Sequence, residues 1–171
     1  ISGSYLTGDI SVSSLTGYQY SLDDSNYSSS LTLSPTSGTV ASTTIYVRLT
    51  GDSVGTPSGN ISISSNGATT QTIAVSGTVN ALPTITLGTI NNITQGATSF
   101  NIPFTAVSNS PSLYSVTTGS NAVPNFNVIT DSAFSGTSGN LAVALPSNTS
   151  SGTYDFILNV KNSTTNCTSD A

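Results

Sequence analysis

The feature that most constrains this chain is a two-residue hydrophobic alternation that recurs from end to end and never gives way to a helical period. Tyr18, Tyr20 and Leu22 alternate with Gln19 and Ser21, and Leu31 and Leu33 flank Thr32. Ile45, Val47 and Leu49 alternate with Thr44, Tyr46 and Arg48. Ile61 and Ile63 flank Ser62, while Ile73 and Val75 alternate with Thr72, Ala74 and Ser76. Successive side chains of a strand point to opposite faces, so the apolar member of each set is expected on a core. Clusters of Gly, Ser, Asn and Pro separate the runs. Short strands between such turns predict an all-β antiparallel sandwich. Asn66-Gly67, lying between two runs, predicts a hairpin.

The second half repeats the style without repeating the sequence. Strands are expected over residues 84–87, 100–105, 113–117, 126–130, 141–145 and 154–160. Phe100, Ile102 and Phe104 form one inward stripe, and Tyr154, Phe156, Leu158 and Val160 another. Pro103 lacks an amide donor, which predicts an edge or bulged strand. Between the halves, Val79-Asn80-Ala81-Leu82-Pro83 reads as a short linker, giving two domains over residues 1–80 and 81–171.

Charge narrows the function classes. Only 5% of the 171 residues are charged, against roughly 25% in an average soluble domain. All seven acids are Asp, and Arg48 and Lys161 are the only bases. Ser and Thr fill about a third of the chain, so its solubility rests on hydroxyls and amides. Two bases and a net charge of −5 exclude ordinary nucleic-acid binding, which needs several cations against phosphate. They also exclude electrostatic docking on anionic lipid. No apolar run approaches the ~20 residues of a membrane-spanning helix.

The segments Ile1-Ser2-Gly3-Ser4-Tyr5-Leu6-Thr7-Gly8-Asp9-Ile10, Gly17-Tyr18-Gln19-Tyr20-Ser21 and Thr44-Ile45-Tyr46-Val47-Arg48 carry a resemblance. It extends through Pro57-Ser58-Gly59-Asn60-Ile61 and Val75-Ser76-Gly77-Thr78-Val79. Together they resemble repeat modules of very large Bacteroidetes-type cell-surface proteins, exported by type IX secretion and including gliding-motility adhesins. Pro83-Thr84-Ile85-Thr86-Leu87-Gly88 and Gly152-Thr153-Tyr154-Asp155-Phe156 resemble a second repeat type of the same proteins. The resemblance implies two tandem immunoglobulin-like antiparallel β-sandwich domains on the bacterial cell surface, and it brings no catalytic set with it. By its pattern the strand before Ile1 is largely missing, as is the closing strand after Cys167.

Chemistry is sparse. With no His, the serine and cysteine triads and His metal sites are excluded. The only Lys, Lys161, lies in no Gly-rich phosphate loop. It follows inward Val160 and is expected outside, away from the buried acid that an isopeptide staple would need. No cofactor is expected. Asp23 and Asp24 could supply part of a calcium site, but a site takes 6–8 oxygens and a polar turn explains the pair better. Ser53 in Asp52-Ser53-Val54 and Ser132 in Asp131-Ser132-Ala133 resemble the O-glycosylation sites of exported Bacteroidetes proteins, and both fall in expected loops. Cys167, the single cysteine, has its partner, if any, outside this chain. Tyr5, Tyr27, Tyr46 and Tyr114 are the candidate exposed aromatics, with Tyr46 the candidate glycan contact.

The expected function is a non-catalytic structural and adhesive repeat, partnered by neighbouring repeats and by surface polysaccharide or other cells. A carbohydrate-binding module and a self-assembling filament subunit are the alternatives. The tail after Val160 is almost wholly polar and reads as a turn, leaving six strands where a seven-stranded sandwich needs one more.

Overall fold

The computed structural model describes residues 1–170. Among them there is no helix; the chain forms twelve strands, and every strand pairing is antiparallel. It divides into two compact units, Ile1–Val79 and Asn80–Ala171.

The first unit holds β1 (Ile10–Val12), β2 (Tyr18–Ser21), β3 (Leu31–Leu33), β4 (Tyr46–Leu49), β5 (Ser58–Ser64) and β6 (Gln71–Ser76). One sheet has the order β3-β1-β5-β6, and β2 pairs with β4 in a second. Ile10, Val12, Tyr18, Tyr20, Leu33, Val40 and Ile61 fill the core between them. Each such side chain contributes roughly 1.5–3 kcal/mol on burial. β1, with Ile10 and Val12 alternating around Ser11, is a core strand in addition to the expected runs. Residues ahead of it are tied down, with Gly3 bridged to Val40 and the Ile1 amino group donating to the Thr43 carbonyl at 2.7 Å.

Three expected core positions of this unit are corrected. Leu22 is exposed because β2 ends at Ser21 and the chain turns. Val47 lies opposite buried Tyr20, and Ile73 opposite buried Ile61, so both sit on core faces. Yet they are 42% and 54% exposed. β4 and β6 are outermost strands, and a two-stranded sheet is too narrow to cover a four-stranded one. The hairpin at Asn66-Gly67 is present, but as a longer loop closed by the Ala68 amide on the Ser65 carbonyl at 3.1 Å. Only Gly67 takes a positive φ (78°), so the turn is not the two-residue type I′ form.

The second unit holds β7 (Thr84–Leu87), β8 (Ser99–Ser108), β9 (Leu113–Thr118), β10 (Ile129–Ala133), β11 (Gly139–Ala144) and β12 (Phe156–Lys161). Its two sheets run β11-β8-β7 and β10-β9-β12. The core draws on both: Ile102, Phe104, Leu141 and Val143 from the first, Tyr114, Val116 and Val160 from the second. That is a sandwich-like arrangement. Phe156 lies 5.3 Å from Phe100 and 5.2 Å from Phe126 between ring centroids.

β8 is the central strand of its sheet, not an edge. Pro103 is accommodated because β8 is bulged against β7, where Thr86 pairs with Ala106 but Leu87 with Phe104. The Pro103 carbonyl still accepts from the Gly88 amide at 2.8 Å. The strand expected over 126–130 begins at Ile129, and Tyr154 precedes β12. Phe126 packs on the core from the preceding loop.

Candidate functional site

A cluster of polar and aromatic side chains lies on the outer face of β2 and β4. Directly opposed residues share a face, so Gln19 and Arg48 lie together with Ser21 and Tyr46. Arg48 donates through Nε and Nη2 to the Gln19 carboxamide oxygen at 3.1 and 2.8 Å. Its guanidinium carbon stands 4.0 Å from the Tyr27 ring centroid, within cation–π range. The Tyr27 hydroxyl donates to the Asp24 carboxylate. That hydrogen bond, with the nearby carboxylate charge, pushes the Tyr27 phenol up from its ordinary pKa. Tyr46 is 39% exposed on the same face.

Asp23 organises the turn that delivers Tyr27. Its Oδ1 accepts from the Ser21 hydroxyl at 2.8 Å, the Ser25 amide at 3.0 Å and the Asn26 amide at 2.8 Å. Its Oδ2 accepts from the Asn26 side chain at 2.7 Å. Donation from Asn26 above all, then Ser21 and Ser25, holds this carboxyl well below its usual range. Asp24 takes a left-handed φ of 58° in the same turn. The two neighbouring carboxylates therefore do not form one ligand set: one is engaged by its own turn, the other by Tyr27. Among the described residues no three His, Cys, Asp or Glu side chains gather as a metal site.

The other sequence candidates are scattered. Asp52 and Ser53 are exposed at the rim of an open depression of about 350 Å³ formed with Thr16, Gly17 and Pro57. Ser132 is not in a loop: it lies in β10, half-buried and opposite buried Tyr114. Asp131 beside it forms a bulge with φ 47° and an ion pair with Lys161 at 3.1 Å. Tyr114 is no exposed aromatic either; it is a core residue whose hydroxyl donates to the Ala142 carbonyl at 2.8 Å. Tyr5 is 98% exposed, with its backbone beside Gly38. Cys167 is half-buried in a turn, with Sγ 3.8 Å from the Thr165 carbonyl.

The Gln19–Arg48–Tyr27 cluster was not read from the sequence. Its signal is the register that sets Gln19 against Arg48, which is invisible until β2 is known to pair with β4. In the core of the same unit, the Tyr20 hydroxyl is buried with no hydrogen-bond partner among the described residues, and burial pushes its pKa up. Comparison with protein-family models, with curated proteins and with solved structures finds no match to this chain.

Proposed function

We propose that this chain is a pair of non-catalytic, immunoglobulin-like modules from a large bacterial cell-surface adhesin, serving outside the cell as a structural and adhesive segment. The observation that carries the reading is two consecutive all-β units, each with its own core, in a chain with 5% charged residues. Exposed strand positions such as Ser11, Thr32, Thr72, Thr86 and Thr117 are hydroxyls, not charges. Contacts made by such faces are hydrogen bonds with little ionic-strength dependence, as suits adhesion in varied media.

The second unit supports the immunoglobulin-like part of this reading. There β7, β8 and β11 share one sheet while β9 and β12 share the other, matching strands A, B and E against C and F of that fold, with β10 as an added edge. The first unit follows another order, since β5 sits between β1 and β6. Partners under this reading are neighbouring repeats and the polysaccharide or cell surface that the protein contacts. Exposed Ser53 is the glycosylation candidate favoured by its position.

The test is deletion of this segment from the parent protein, with surface labelling and attachment assays on intact cells. Surface labelling with reduced attachment is expected. A segment labelled only after lysis, or attachment unchanged by the deletion, overturns the reading.

A carbohydrate-binding role is favoured by one observation, the exposed Tyr46 sharing a face with Arg48 and Gln19. Saturable binding on a glycan array, abolished by Tyr46→Ala, would establish it; a blank array would dismiss it.

A further inference from the structure

β6 borders its sheet, with one side paired and the other open. Toward β5, the Gly77 amide donates to the Pro57 carbonyl at 3.1 Å and the Val79 amide to the Gly55 carbonyl at 2.8 Å. The same register sets Val75 against Gly59 and Ile73 against Ile61. Backbone groups of an antiparallel strand alternate in direction, so Ile73 and Val75 bond β5 while Thr72, Ala74 and Ser76 turn their amides and carbonyls outward. Those outward groups find no partner among the described residues, and all three residues are exposed.

Open strand edges are ordinarily blunted by shortness, a bulge, Pro or a charged side chain. β6 has six residues in unbroken register, and residues 58–76 hold neither Pro nor charge. The border strand β4 has four residues and carries Arg48, and β7 slips in register at Leu87. β11 is as long as β6 and uncharged, but its core-facing Leu141 and Val143 are fully buried. On β6 the core-facing Ile73 is 54% exposed. β4 reaches this border at one end, where a Cβ on Gly77 would stand 2.5 Å from Leu49 Cδ1. Val47, on the same face of β4 as Leu49, is nonetheless 42% exposed. The first unit therefore presents an open ladder and an uncovered apolar strip along one border.

We propose that the open edge of β6 pairs with β6 of a second copy of this chain, antiparallel about a two-fold axis at Ala74. Centring on Ala74 sets Thr72 opposite Ser76 of the other copy, so every outward backbone group on both strands gains a partner. Ile73 falls opposite Val75 of the other copy, at the pair position where side chains lie closest. A two-fold axis normal to the sheet keeps the core-facing sides of both copies together, so Ile73 and Val75 of each copy cover one another. The occupant is a second copy because the edge is its own complement: hydroxyl meets hydroxyl, apolar meets apolar, and no charge is set against itself. A border of one strand is smaller than a standard stable interface, which makes the pairing weak and concentration-dependent. The inference goes beyond the adhesive role and does not depend on it.

The experiment uses the full 171-residue chain with Ala74→Lys and Ala74→Asp, each alone and mixed in equal amounts. Mass in solution and amide exchange are followed from about 10 µM to about 1 mM, the range of weak association. Ala74 is exposed, so both variants are expected to melt with the unaltered chain, which shows them folded. The unaltered chain is expected to approach dimer mass as concentration rises, with exchange at Thr72, Ala74 and Ser76 slowing by about tenfold. Exchange at Ile73, already bonded to β5, should not change with concentration. Each variant alone is expected to stay monomeric, because the axis sets like charges opposite one another. The mixture is expected to recover the dimer, with Lys opposite Asp. A monomer mass throughout overturns the proposal, as does a dimer that both single variants retain. Failure of the mixture to recover the dimer overturns the two-fold register, and protection that grows at other strands instead overturns the choice of edge.

Discussion

Exposure, not alternation, decides what an individual residue contributes. Val143 and Val47 are both apolar members of alternating runs, yet Val143 is fully buried and Val47 is 42% exposed. Val143→Ala is expected to cost about 2–3 kcal/mol in chemical denaturation and Val47→Ala under about 1 kcal/mol. Tyr20→Phe removes a buried hydroxyl that has no partner among the described residues, so stability should be unchanged or rise by up to about 1 kcal/mol. Asp23 sets a pH dependence. Its folded pKa lies below the ordinary 3.8, so its contribution is complete above that value and is lost as pH falls through the lower folded value. Proton-exchange measurements should find the Ser25 and Asn26 amides still protected somewhat below pH 4, and Asp23→Asn should flatten that dependence. Calcium at millimolar concentration should leave the melting temperature unchanged, because the Asp23 oxygens are already engaged.

At the scale of elements, alternation located most strands but not their places in the sheets. Tyr18 with Tyr20 and Ile102 with Phe104 are buried as their spacing predicts. Val47 and Ile73 follow the same rule of facing and fail on burial, because coverage depends on which strand lies at a sheet's border. Strand order is a long-range property that a local pattern does not encode. Of the two outcomes expected from Pro103, an edge or a bulge, the strand takes the bulge: it frees a central strand from one ladder position, so a missing donor need not mark an edge. The candidate site was legible in its residue types, with Tyr46, Asp23 and Asp24 all noted, but not in its assembly. The Arg48–Gln19 bond and the Arg48–Tyr27 stack are products of register and of the turn that Asp23 caps. The tail supplies a test of how a short turn directs a strand. Asn162→Ala removes the acceptor for the Thr164 and Thr165 amides, and the pairing of Ser169 with Val160 should loosen. Faster exchange at the Ser169 amide is the expected readout; unchanged exchange would show that the β12 edge holds the tail without the turn.

For the whole molecule, the central claim is that the chain is two structural modules and not one domain with a buried site. The cores share no residue: Ile61 belongs to the first and Leu141 to the second. Large-to-small substitutions at such positions cost about 2–5 kcal/mol, and a loss of 1 kcal/mol shifts the melting of a domain this size by roughly 4–8 °C. Modules that fold on their own cores should respond separately. The most direct measurement is calorimetry of the intact chain beside Ile61→Ala and Leu141→Ala. The account predicts two transitions, with Ile61→Ala lowering one and Leu141→Ala lowering the other. A single transition lowered by both substitutions would contradict it.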